Sequence, residues 1–104
     1  MAQRNLNGEV AAEIARRFSP SDAATAETLL KSTPLPLLPD LVSVDAARVH
    51  MAAIKVANGD LERLRAALAA ATSDWRDLLL AADLAGNDWQ EVLTQSGFRI
   101  PRAT

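Results

Sequence analysis

Residues 44–58 constrain the fold more than any other stretch of the chain. Placed at 100° steps along a helix, Asp45, Arg48, Ala52 and Lys55 share one arc of roughly 80°. Val44, Ala46, Ala47, Val49, His50, Met51, Ala53, Ile54, Val56 and Ala57 fill the rest. A helix apolar over most of its circumference must have neighbours on several sides, so this one is expected at the centre. Ser43 is its expected N-cap, and Asn58-Gly59 its stop, since glycine tolerates the left-handed backbone that ends helices.

The surrounding composition agrees. The 104 residues include 21 Ala and 15 Leu but only 6 Val, 3 Ile, 2 Phe, 2 Trp and no Tyr, a helix-forming mixture poor in strand formers. The expected fold is all-α: one domain over 1–104, a bundle of five or six short helices, with a tail that frays over 99–104. From Asn7, Val10, Ile14 and Phe18 mark an inward stripe, with Glu9, Glu13, Arg16 and Arg17 on the other side. Ser19-Pro20-Ser21-Asp22 is a strong start signal for a second helix, which buries Ala26, Leu29 and Leu30 and runs to about Lys31. Asp60 starts a fourth with the stripe Leu61, Leu64, Leu68, Ala71. Ser73-Asp74 starts a fifth, and Gly86-Asn87-Asp88 a sixth.

The Pro/Leu segment, Pro34 to Pro39, cannot be helical, because three prolines remove donors and fix φ. Its leucines suggest an ordered strap over the core. The P-x-x-P pattern from Pro36 to Pro39 offers the alternative of a ligand for a partner's groove.

Asp74-Trp75-Arg76-Asp77-Leu78-Leu79 and Asp88-Trp89-Gln90-Glu91-Val92-Leu93 repeat one recipe 14 residues apart. In each, the first acid is placed to cap exposed amides and the indole to pin a short helix. Trp75 is expected in the core. Trp89, nearer the terminus, is a candidate contact residue.

Reactive chemistry is poorly represented. Without cysteine there is no disulfide, thiolate metal site or cysteine nucleophile. His50 is the single histidine, so no two-histidine site forms within one chain. One reading makes it a general base or metal ligand. The other, favoured, makes it a buried side chain bonded to a carbonyl or carboxylate, because its helical neighbours Ala46, Ala47, Ala53 and Ile54 include no orienting acid. The pairs Asp74/Asp77 and Asp88/Glu91 have capping spacing. There is no glycine-rich phosphate loop, calcium loop or G-x-S-x-G. No catalytic, metal or cofactor residue is assigned, no cofactor is expected, and an enzyme using His50 ranks third.

A net charge of −2 argues against a polybasic binder. A helix-turn-helix reading of residues 44–71 would have to rely on Arg48, Lys55, Arg63 and Arg65, offset by Asp45, Asp60 and Glu62. It is the second-ranked function. The first is a small protein-interaction or regulatory module, its partner another protein or a second copy. Leu80, Trp89, Arg63 and Arg65 form the candidate surface, with Ala66, Ala69 and Ala70 as a smooth helix face. The alternative for those alanines is that they are simply good helix formers on a solvated side. No stretch looks like a signal peptide or membrane span, so a cytoplasmic location is expected.

Ala53-Ile54-Lys55, Gly59-Asp60-Leu61-Glu62-Arg63-Leu64-Arg65 and Asp74-Trp75-Arg76-Asp77-Leu78-Leu79 lie within residues 50–93. This region resembles a group of short bacterial proteins of uncharacterised function. The resemblance implies an all-helical bacterial protein and assigns no catalytic or binding residue.

Overall fold

Local start and stop signals set the helices. The computed structural model describes residues 6–33, 35 and 43–101. In it Asn7 caps α1 (Gly8–Arg17), its side-chain oxygen accepting from the Glu9 amide at 3.0 Å. Ser19 caps α2 (Pro20–Ser32), Ser43 caps α3 (Val44–Ala57) and Asp60 caps α4 (Leu61–Ala81), each through its side-chain oxygen. A shorter helix, α5 (Trp89–Gln95), follows. The fold is all-α, with no strand among the described residues.

The expected fourth and fifth helices are joined as α4, but Asp74 inside it is extended (φ −155°, ψ 101°). Its carboxylate accepts from the Arg76 amide at 3.0 Å. Asp74 therefore starts a new helical limb, as its sequence context suggests, without a loop to separate it from the preceding one. Asp74→Ala is expected to cost about 1 kcal/mol of stability, the usual loss for a capping acid. Ser73→Ala, which removes no such bond, should stay within about 0.5 kcal/mol. Urea denaturation of the two variants checks this.

One core cluster unites all five helices. α3 is its axis: nine of its fourteen residues are buried, and its most extensive packing is against α4. Two positions on α3 and α1 differ from expectation. Ala52 is buried, although it lies on the polar arc of α3. The reason is that Arg48 and Lys55, on the same arc, reach carbonyls at the end of α4. Arg48 Nε donates to Leu84 O at 2.8 Å, and Lys55 Nζ to Ala82 O at 2.7 Å. Cations suit the negative end of a helix, and these side chains draw that end over Ala52.

Glu13 is the second correction. It is fully buried rather than on the solvent side of α1. Arg17 Nε lies 2.9 Å from its carboxylate, Arg16 at 3.5 Å and Arg99 at 3.8 Å. The tail explains why. Gly97, at φ +80°, turns its carbonyl to accept from Arg16 at 2.9 Å and Arg17 at 3.1 Å. Phe98 lies buried under the Arg17 guanidinium, 3.5 Å from its ring centre. The tail thus lies on α1 through Arg99, and Pro101 is buried; residues 102–104, most of the stretch expected to fray, fall outside the described part.

Gly59 joins α3 to α4. Its φ is +83°, and a Cβ there would stand 3.2 Å from the Arg17 carbonyl, so both the backbone and the close approach of α1 require glycine. Asn58 before it is also left-handed, at φ 50°. Of the Pro/Leu segment, Leu35 is buried in the core. Pro34 and residues 36–42, on which the strap and the P-x-x-P reading rest, lie outside the described residues.

Candidate functional site

The four candidate surface residues do not converge. Trp89 is half-buried against the core, with the Arg48 guanidinium 5.1 Å from its ring centre. Arg48 also donates to Gly86 O at 3.3 Å, so the indole helps fix the approach to α5. Arg65 pairs with Glu62 at 2.9 Å and faces a separate hollow beside the end of α2, with Leu29, Ser32 and Thr33. Leu80 is 67% exposed on the second limb of α4. Arg63 lies elsewhere, in a groove.

That groove follows from the break at Asp74. Arg63, Ala66, Ala67 and Ala70 line it from the first limb of α4, Asp77, Leu78 and Ala81 from the second, and Val56 from α3. Its volume is about 430 Å³ and its walls are almost wholly apolar. Alanines make it: a methyl group is too short to fill the space left where the helix bends. Two of the three alanines in the smooth face, Ala66 and Ala70, are in it; Ala69 faces the hollow beside α2.

Arg63 and Asp77 stand at the groove's border and contribute almost no polar surface to its wall. Neither the Arg63 guanidinium nor the Asp77 carboxylate has an ion pair or hydrogen bond among the described residues. Asp77 was legible only as part of a capping pair. No local spacing finds it: the break at Asp74 lies between Ala70 and Asp77, and only the packing of the two limbs brings Arg63 and Asp77 to one groove.

The repeated acid-Trp recipe is only half realised. Asp74 caps its limb, but Asp88 makes no capping bond with its side chain. Trp75 is half-buried at the edge of the core rather than inside it, and the Arg76 guanidinium stands 5.7 Å from its ring centre. In the first copy both aliphatics, Leu78 and Leu79, reach the core; in the second Leu93 does and Val92 is only partly buried.

His50 is fully buried on α3, and among the described residues neither ring nitrogen has a hydrogen-bond partner, so none of them supplies the expected carbonyl or carboxylate. Burial without compensation pushes its pKa down from 6.5 to about 4, leaving the ring neutral near pH 7. A general base needs reach to a substrate proton, and this imidazole does not reach the surface. Among the described residues no group of three His, Cys, Asp or Glu side chains could hold a metal ion. Nor is any helix among them long and apolar enough to cross a membrane.

Comparison with known proteins finds no matching family model, no matching curated protein and no matching solved structure.

Proposed function

We propose that this protein is a small cytoplasmic protein-interaction module whose binding face is the groove of α4. One observation carries the reading: an apolar groove of about 430 Å³ bordered by Arg63 and Asp77, two charges without an ion pair or hydrogen bond among the described residues. Apolar walls with a few placed polar groups are what recognition sites require, the walls supplying burial and the charges orientation. A duplex-binding face has less to work with. Arg48 and Lys55 are engaged by carbonyls, and Arg65 is paired with Glu62.

Site-specific photocrosslinking in cells expressing the protein tests this. A benzophenone amino acid at Ala66, inside the groove, is expected to give a protein adduct of discrete mass. The same label at Thr28, exposed on α2, should give none. Ala70→Arg, which fills the groove, should abolish the adduct. No adduct from Ala66, or one indifferent to Ala70→Arg, overturns the reading.

A further inference from the structure

We infer that residues 86–101 form a lid that opens from the bundle as one unit, hinged between Leu84 and Gly86, while α1–α4 stay folded. The hinge lies where the fixed part ends. Leu84 is fully buried, and its amide closes the end of α4 by donating to Leu79 O at 2.8 Å. Beyond it the backbone bonds turn local. Trp89 donates to Gly86 O, Val92 to Asp88 O, Ser96 to Val92 O and Phe98 to Leu93 O, so one run of bonds ties residues 86 to 98 to each other. Among the described residues, none of the backbone bonds of this stretch joins it to another helix. Nor does α5 pack on any other helix as extensively as α1 does on α2, or α3 on α4.

Side chains hold the lid down, and the same device recurs at both ends. At the hinge, Arg48 donates to Leu84 O at 2.8 Å and to Gly86 O at 3.3 Å, bridging the fixed and moving parts. Its guanidinium stands 5.1 Å from the Trp89 ring centre. At the far end, Arg17 donates to Gly97 O at 3.1 Å and lies 3.5 Å from the Phe98 ring centre, with Arg16 on the same carbonyl at 2.9 Å. Each fastening joins a cation to a carbonyl and an aromatic face, contacts that part without unfolding a helix of the bundle. The lid's buried apolar side chains are Leu93, Phe98 and Pro101; Trp89 and Val92 are partly buried and Ile100 is 38% exposed. So small a buried surface belongs to the low end of local stability. A helix of seven residues without a side-chain cap does not persist once undocked, so loss of either fastening reaches the other through α5. Opening frees the Arg16, Arg17 and Arg48 donors together and bares the apolar surface on which Leu93 and Phe98 sit.

Native-state hydrogen exchange, followed by NMR over a urea series, tests this. In the unaltered chain the amides of Val92, Ser96 and Phe98 should exchange through one common opening. That opening should occur at least ~10-fold more often than the one that exposes Ile54 in α3, and depend less on urea. Arg48→Met removes only the fastening at the hinge, yet should speed Phe98 as much as Val92, by ~5-fold or more. Arg16→Met removes a donor at the far end, and should speed Val92 as much as Phe98. Lid amides that open as rarely as Ile54, with its urea dependence, overturn the inference, since the stretch then opens only with the whole fold. So do three unrelated openings, or an Arg48→Met chain in which Val92 speeds up and Phe98 does not, since the two ends then open separately. The unaltered chain and Arg16→Met, whose side chain is 58% exposed, decide the matter if Arg48→Met does not fold.

Discussion

Arg17→Ala is expected to cost about 3 kcal/mol of folding stability, a loss typical of a buried ion pair deprived of one partner. The Glu13 side chain is fully buried, and Arg17 is its nearest cation at 2.9 Å. Without Arg17, the carboxylate keeps Arg16 at 3.5 Å and Arg99 at 3.8 Å, side chains that are 58% and 59% exposed. Those are poor replacements, since water weakens what an exposed charge can offer. The same substitution removes a donor to Gly97 O and uncovers the Phe98 ring, so the tail loosens together with the pair. Arg16→Ala and Arg99→Ala should each cost less than about 1 kcal/mol. A double change that replaces the pair by apolar groups, Glu13→Leu with Arg17→Met, should return most of the loss, because no charge is then left buried alone. Urea denaturation of the four variants decides the matter. Equal, small losses for all three arginines would mean that Glu13 is solvated rather than enclosed.

That cluster also marks where sequence reasoning stops. Helix starts at Asn7, Ser19, Ser43 and Asp60 are legible because capping is local: an oxygen and an amide two or three residues apart. The centrality of α3 is legible because its apolar arc is too broad for one neighbour. Glu13 is not legible, since one of the arginines ranged against its carboxylate is Arg99, and the tail that lies beside it comes from the far end of the chain. Ala52 fails for the same reason: the carbonyls that engage Arg48 and Lys55, those of Leu84 and Ala82, come from the turn just after α4. Asp88 carries the same local signal as Asp74 yet forms no cap, so a shared recipe does not guarantee a shared geometry. The groove is the mixed case. The break at Asp74 is visible as a helix start, and Ala66 and Ala70 as a smooth face. That the two limbs enclose a space floored by Val56 depends on how α3 packs beneath the bend. Arg63 was among the residues singled out from sequence; Asp77 was not, because its capping spacing offered a sufficient local explanation.

Acidification from pH 6.5 to about 4 should remove about 3 kcal/mol of stability through His50 alone. The folded chain holds this imidazole fully buried, with no partner for either nitrogen among the described residues, so protonation in place is opposed by desolvation and its pKa falls to about 4. In the unfolded chain the ring returns to about 6.5. Between those values the unfolded state binds a proton that the folded state refuses, and the equilibrium moves toward unfolding as pH falls. The contribution is whole above pH 6.5, declines through the window and is spent near pH 4. For a domain whose total stability is typically ~5–15 kcal/mol, that is a large share. His50→Leu isolates this effect, because every other residue is the same in both proteins. The variant should be more stable at pH 7 by about 1–3 kcal/mol, because two buried polar atoms without partners are gone. Its advantage should widen steadily as the pH is lowered toward 4.5, measured as the difference in urea midpoint at each pH. An advantage that stays constant over that range would mean that the folded chain accepts the proton as readily as the unfolded one, and that the imidazole has water or a carboxylate beside it.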